Sequence, residues 1–127
     1  MFIPESIRIG SCDYDVEFTD NPIIVDRKEC FASIDYNKHL IQIDKTLGDN
    51  QTQEQSFLHE VFHGIARERN LEFEDEELVI DELARGLHRI IRDNPEMFAN
   101  KPISCIPYDE YLENHKEELC SSHSTVM

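Results

Sequence analysis

Residues 59–63 read His-Glu-Val-Phe-His, which brings two imidazoles and a carboxylate together in a short segment. On a helix, side chains four residues apart lie on the same face with Cβ atoms about 5–6 Å apart, so His59 and His63 can reach one zinc ion. Glu60 projects beside the same position and can accept a proton from a metal-bound water. The pattern predicts a Zn²⁺ site with His59 and His63 as ligands and Glu60 as the catalytic base.

A third ligand is expected from the acidic segment that follows the motif, because a catalytic zinc site holds three protein ligands and keeps one position open. The candidates are Asp81, Glu82 and Glu77. We favour Asp81, since Ala84 follows one turn later and a small residue lets two helices approach closely. Glu82 is the alternative. A solvated acidic surface with no ligand role is the ordinary interpretation of such a segment.

The motif must be positioned by helices, and the apolar spacing around it predicts two. The first is expected to begin at a capping box, Thr52 to Gln55, and to run to about Asn70, with Glu60 outside its apolar face. A second helix is expected from the acids at 75–77 to the stop at residues 93–95, Asp-Asn-Pro. This second helix would carry the third ligand.

The N-terminal part alternates apolar and polar residues, which indicates strands. Residues 6–18 alternate on both sides of Gly10-Ser11, and residues 30–44 alternate around Asn37-Lys38, so two hairpins are predicted. The expected fold is therefore α+β, with a small twisted antiparallel sheet packed on the motif helix and on the second, ligand-bearing helix.

Composition limits the partners. The chain has 127 residues with 27 acids against 12 Lys and Arg, a net charge of −15. Such an excess repels phosphate backbones, so nucleic-acid binding is not expected. No apolar run is long enough for a membrane span, and no secretion signal is recognised at the start. Four widely spaced cysteines suggest reduced thiols. We expect a cytoplasmic protein of a bacterium or a phage-infected host.

Residues 57–65, Phe-Leu-His-Glu-Val-Phe-His-Gly-Ile, and residues 81–87, Asp-Glu-Leu-Ala-Arg-Gly-Leu, together resemble small zinc peptidase-like proteins of phages and mobile elements. These are minimal zincins, related in motif to the ImmA/IrrE metallopeptidases. The resemblance covers about residues 5–95. It implies a metallopeptidase domain, which we place at 1–95. The residues after Pro95 carry turn signals, a mostly polar segment and a polar tail, so we expect an extension at 96–127 that is partly helical or disordered. The resemblance also implies an acidic ligand three residues before Ala84, where this sequence has Asp81 instead of the usual Glu.

The leading hypothesis is a zinc-dependent metallopeptidase, or a peptidase-like protein, that hydrolyses a peptide bond in a protein substrate. The alternative is a small acidic interaction protein, a nucleic-acid mimic or a binder of a basic partner, with a structural zinc. His88 is a weaker candidate for a group facing the ligands or the substrate, and an ordinary surface histidine is the simpler interpretation. A second metal at His115, Cys120 and His123 fits no standard spacing.

Overall fold

The computed structural model of the protein describes residues 1–98, and these residues form an α+β fold, which confirms the expected class. The predicted extension lies outside the described residues from position 99 onward. The elements in chain order are β1 Ser6–Ile9, β2 Cys12–Thr19, β3 Ile23–Val25, β4 Lys28–Cys30, β5 Ala32–Asp35, β6 Leu40–Asp44, α1 Asn50–Glu68, α2 Glu76–Asp93 and the 3-10 helix Pro95–Phe98.

Four of the strands form one sheet in the order β1-β2-β6-β5. The pairs β1–β2 and β5–β6 are antiparallel, which confirms both predicted hairpins. However, β2 and β6 are parallel, with Val16 opposite Ile41, so the expectation of a purely antiparallel sheet is wrong at this pair. The reason is that the connection between β2 and β6 contains three further strands, and it returns the chain to the end where β2 starts. Ile41 and Ile43 are fully buried in this central strand.

A third hairpin, β3–β4, stands outside this sheet as a two-stranded ribbon. Its turn residues Asp26 and Arg27 both have positive φ, 52° and 66°. Two left-handed residues are typical of the tight turns whose twist matches paired strands, and Asn or Gly usually occupies them. Arg27 stands where Gly is usual, so no clear turn signal is recognised here and the ribbon is absent from the predicted elements.

Helix α1 begins three residues earlier than predicted. The side chain of Asp49 caps it by accepting a hydrogen bond from the backbone N–H of Thr52 at 2.8 Å. A Cβ added at Gly64 would lie 2.8 Å from Ile9 Cδ1 and 3.3 Å from Ile34 Cδ1. The lack of a side chain at Gly64 therefore lets the helix carrying the motif lie directly on the sheet.

Helix α2 has the predicted bounds, with Asp75 as its N-cap. The buried residues Ile80, Ala84 and His88 recur every turn and face α1. The two helices thus pack side by side, with the acidic start of α2 next to the motif. Among the described residues, no helix combines the length and apolar character required to cross a bilayer.

Candidate metal centre

His59 and His63 lie one turn apart on α1 and point to a common position. Their Nε2 atoms are 3.1 Å apart and their ring centroids 4.8 Å apart. Two nitrogens bound to one tetrahedral zinc at about 2.05 Å would be separated by about 3.3 Å. The pair is therefore spaced as two ligands of a single ion, and together with Glu60 it forms a group able to hold a metal.

The carboxylate that contacts both Nε2 atoms belongs to Glu77, in the first turn of α2. Its Oε1 lies 2.7 Å from His63 Nε2, and its Oε2 lies 3.2 Å from His59 Nε2. Glu77 was the least favoured of the three acids considered from the sequence. Its side chain is 72% exposed, so its negative charge carries little desolvation penalty.

Asp81, the residue favoured from the sequence, lies next to Nδ1 of His59, on the side of the ring away from Nε2. Its Oδ1 is 3.4 Å from His59 Nδ1, and its Oδ2 accepts a hydrogen bond from Arg85 Nε at 2.8 Å. Glu76 lies next to Nδ1 of the other histidine in the same way, because its Oε2 is 2.7 Å from His63 Nδ1. Carboxylates on Nδ1 orient the rings and leave Nε2 for a metal.

Glu82, the alternative ligand, is exposed, and no ion pair or hydrogen bond of its side chain is found within residues 1–98. The three acids therefore occupy different positions around the histidines. Glu77 contacts both Nε2 atoms, Asp81 contacts one Nδ1 atom, and Glu82 contacts neither ring.

Glu60 is buried, with 8% of its surface exposed, although the sequence predicted it outside the apolar face. The face is covered because α1 packs against both the sheet and α2. Burial raises the pKa of Glu60, while the nearby His59 and His63 lower it. A buried carboxylate beside a pair of imidazoles is suited to accept and release a proton.

Tyr36, which the sequence interpretation missed, also lines the space in front of the histidines. The guanidinium of Arg67 lies over its ring at 4.4 Å and holds it in place. Burial, followed by the charges of Glu76 and Glu60, raises the pKa of Tyr36 to about 12. The hydroxyl therefore keeps its proton at neutral pH and can donate a hydrogen bond. One tyrosine at a strand end gives no sequence signal for such a role.

His88 lies neither at the surface nor in this site. It is 2% exposed, its Nε2 lies 2.8 Å from a carboxylate oxygen of Glu54, and its Nδ1 lies 3.5 Å from Gln55 Nε2. It therefore links α2 to α1. His115, Cys120 and His123 lie outside the described residues.

A cleft of about 510 Å³ opens in front of the histidines. Strand β5, which forms one edge of the four-stranded sheet, lines one wall, and α1 and α2 line the other. Apolar side chains from β3, from β5 and from the residue that precedes β5 also line the cleft; they are Val25, Phe31, Ala32 and Ile34. The volume lies in the range of small-ligand and peptide side-chain sites.

Comparison of the chain with protein-family models, with curated proteins and with solved structures found no match. The functional argument therefore depends on the geometry of the site alone.

Proposed function

We propose that this protein is a zinc-dependent metallopeptidase that hydrolyses a peptide bond in a protein substrate. The observation that carries the proposal is the pair of Nε2 atoms, 3.1 Å apart, that faces a carboxylate beside the buried Glu60. Two imidazoles and one carboxylate are a ligand set typical of catalytic zinc, in which a fourth position stays open.

We assign the three ligands to His59, His63 and Glu77. Glu77 is preferred to Asp81 because it approaches the same nitrogens that the histidines direct at each other. Asp81 and Glu76 are then positioning residues that hold the two rings through Nδ1. Glu60 does not serve as a ligand in this proposal, because a buried carboxylate next to the ligands is needed as the base.

A zinc ion bound there would lower the pKa of a coordinated water and polarise the substrate carbonyl. Glu60 accepts a proton from the attacking water as the new C–O bond forms. It then gives this proton to the amide nitrogen as the C–N bond breaks, so the carboxylate is regenerated. Tyr36 donates a hydrogen bond to the carbonyl oxygen, where negative charge develops.

The edge strand β5 supports a peptide as substrate. An edge strand presents unpaired backbone N–H and C=O groups, and an extended peptide can pair with them. Residues Ala32, Ser33 and Ile34 of this strand line the cleft that also contains His59 and His63. A bound peptide would thus lie along β5 with its backbone in front of the metal centre.

The test uses a degenerate peptide library with mass-spectrometric detection of cleavage, and four forms of the protein. Wild type and Glu82→Gln are expected to cleave at equal rates. Glu60→Gln is expected to lose at least about 100-fold in rate while it retains the metal, and His59→Ala is expected to lose both.

Two results would contradict the proposal. One is a metal-loaded wild type that cleaves no peptide in the library, and the other is a Glu60→Gln variant that cleaves as fast as wild type. The first result would favour the acidic interaction protein with a structural metal, and the second would remove Glu60 from the role of catalytic base.

A further inference from the structure

The apolar face of α2 is wider than the part of it that packs on α1. Leu83 and Ile90 are 50% and 47% exposed, and Gly86 lies between them. Their spacing of three and four residues places them on one side of the helix. The side that packs on α1 carries Ala84 and His88 instead, 1% and 2% exposed. The exposed part of the apolar face therefore lies beside the part that α1 covers, and no described strand packs on it.

The centre of this outer face is open. A Cβ added at Gly86 would meet no atom within 4 Å. The apolar surface continues beside Leu83 with the half-buried residues Val79 and Leu87. A row of large apolar side chains around an unobstructed glycine permits close approach of another helix.

The charges that flank this face indicate which helix fits. The N-terminal half of α2 carries four acids, and the C-terminal half carries three arginines and a single acid, Asp93, at its end. Asp93 lies 3.8 Å from Arg89, and both side chains are exposed, so this ion pair is weak and leaves Arg89 able to meet a second acid. Glu82 and Arg89 are both exposed and lie on the same side of the apolar row. If two copies of α2 cross antiparallel at Gly86, a two-fold axis brings Glu82 of each copy next to Arg89 of the other. A parallel pair would instead place like charges opposite each other.

We infer that the protein self-associates through α2, as a symmetric dimer whose two α2 helices cross antiparallel at Gly86. The apolar contact is made by Leu83 and Ile90, and two reciprocal ion pairs, Glu82 with Arg89 of the second copy, set the orientation. Glu77 and Asp81 lie on the cleft side of α2, so the cleft stays open in the dimer. The inference does not depend on the proposed function.

The test is sedimentation equilibrium of the full chain between about 1 and 100 μM, a range over which a dimer of micromolar affinity dissociates. Wild type is expected to be dimeric at the upper end. Leu83→Glu is expected to weaken the dimer about 100-fold or more, because both copies lose a buried leucine and gain a charge. Leu78→Glu is the matched control, since Leu78 is equally accessible on the same helix, 58% exposed, but lies off the apolar row.

The ion pairs are tested separately by charge reversal. Glu82→Arg and Arg89→Glu are each expected to weaken the dimer about tenfold, and the double variant is expected to return within about threefold of wild type.

Three results would overturn the inference. The first is a wild type that stays monomeric at every concentration, which includes the case in which another part of the chain covers this face. The second is a Leu78→Glu variant that weakens the dimer as much as Leu83→Glu does. The third is a double charge reversal that does not restore the dimer.

Discussion

The assignment of the third ligand gives a prediction with a defined size. Replacement of Glu77 by Gln keeps the shape of the side chain but removes the charge that faces both Nε2 atoms. Structural zinc sites with four protein ligands bind with about 10–16 kcal/mol, which is about 2.5–4 kcal/mol for each ligand. Glu77 is 72% exposed, so water can partly replace it, and we expect a loss of about 2–3 kcal/mol. The zinc affinity should therefore fall about 30- to 150-fold.

The matched variants are Asp81→Asn and Glu82→Gln, which remove one negative charge from the same helix. Asp81 orients a ligand through a contact of 3.4 Å, so its loss should weaken zinc binding only about tenfold, the lower end for such groups. Glu82 contacts neither histidine, and its charge is screened by solvent, so its loss should change the affinity less than about twofold.

The assay is competition with a chromophoric chelator at pH 7, followed by absorbance as zinc transfers. Unfolding of the metal-free variants, followed by circular dichroism, shows whether each remains folded. The reasoning is refuted if Asp81→Asn weakens zinc binding more than Glu77→Gln, or if Glu82→Gln equals either of them. The first outcome would return the third ligand to the residue favoured from the sequence.

Three further predictions concern stability, each measured by thermal or denaturant unfolding of the metal-free protein in dilute solution. Gly64→Ala should destabilise the protein by about 1–2 kcal/mol, because the added methyl group meets the packed sheet. Gly86→Ala should stabilise it by about 0.5–1 kcal/mol, because the methyl group enters open space on α2. Equal effects of the two variants would contradict the described packing. Glu60→Gln should be more stable than wild type at pH 7 and equal to it near pH 4. Burial raises the pKa of Glu60 in the folded state, so wild type loses stability as the pH rises through that pKa. A stability difference that does not vary with pH would contradict this expectation. Asp49→Ala should cost about 1 kcal/mol as a lost helix cap, with Asn50→Ala near zero, and a reversed order would contradict the position of the cap.

Much of the architecture followed from periodicity. Two hairpins, the end of the second helix and the amphipathic motif helix were predicted correctly, because alternation and helical spacing record which side of an element is buried. The predicted start of α1 at Thr52 is wrong, because the Asp49 carboxylate accepts a hydrogen bond from the backbone N–H of Thr52 and caps the helix three residues earlier. The β3–β4 ribbon was missed because its left-handed turn residues are Asp26 and Arg27.

Pairing of β2 with β6 depends on where a long connection returns the chain, and local patterns do not contain that information. The same limit applied to the site. The spacing of His59 and His63 is local, so the sequence could predict their shared face. The choice among Glu77, Asp81 and Glu82 depends on how α2 is rotated about its axis relative to α1. Because the three acids lie within two turns, their spacing does not determine which of them faces the histidines. Tyr36 reaches the cleft only through the tertiary fold.

Metal content of the purified protein tests the central claim most directly. Elemental mass spectrometry of wild type, Glu60→Gln and His63→Ala, purified at neutral pH without chelator, gives the number of zinc ions per chain. The account predicts about one in wild type and in Glu60→Gln, and essentially none in His63→Ala. A wild type without metal, or a His63→Ala variant that retains a full equivalent, would contradict the metal centre on which the proposed reaction depends.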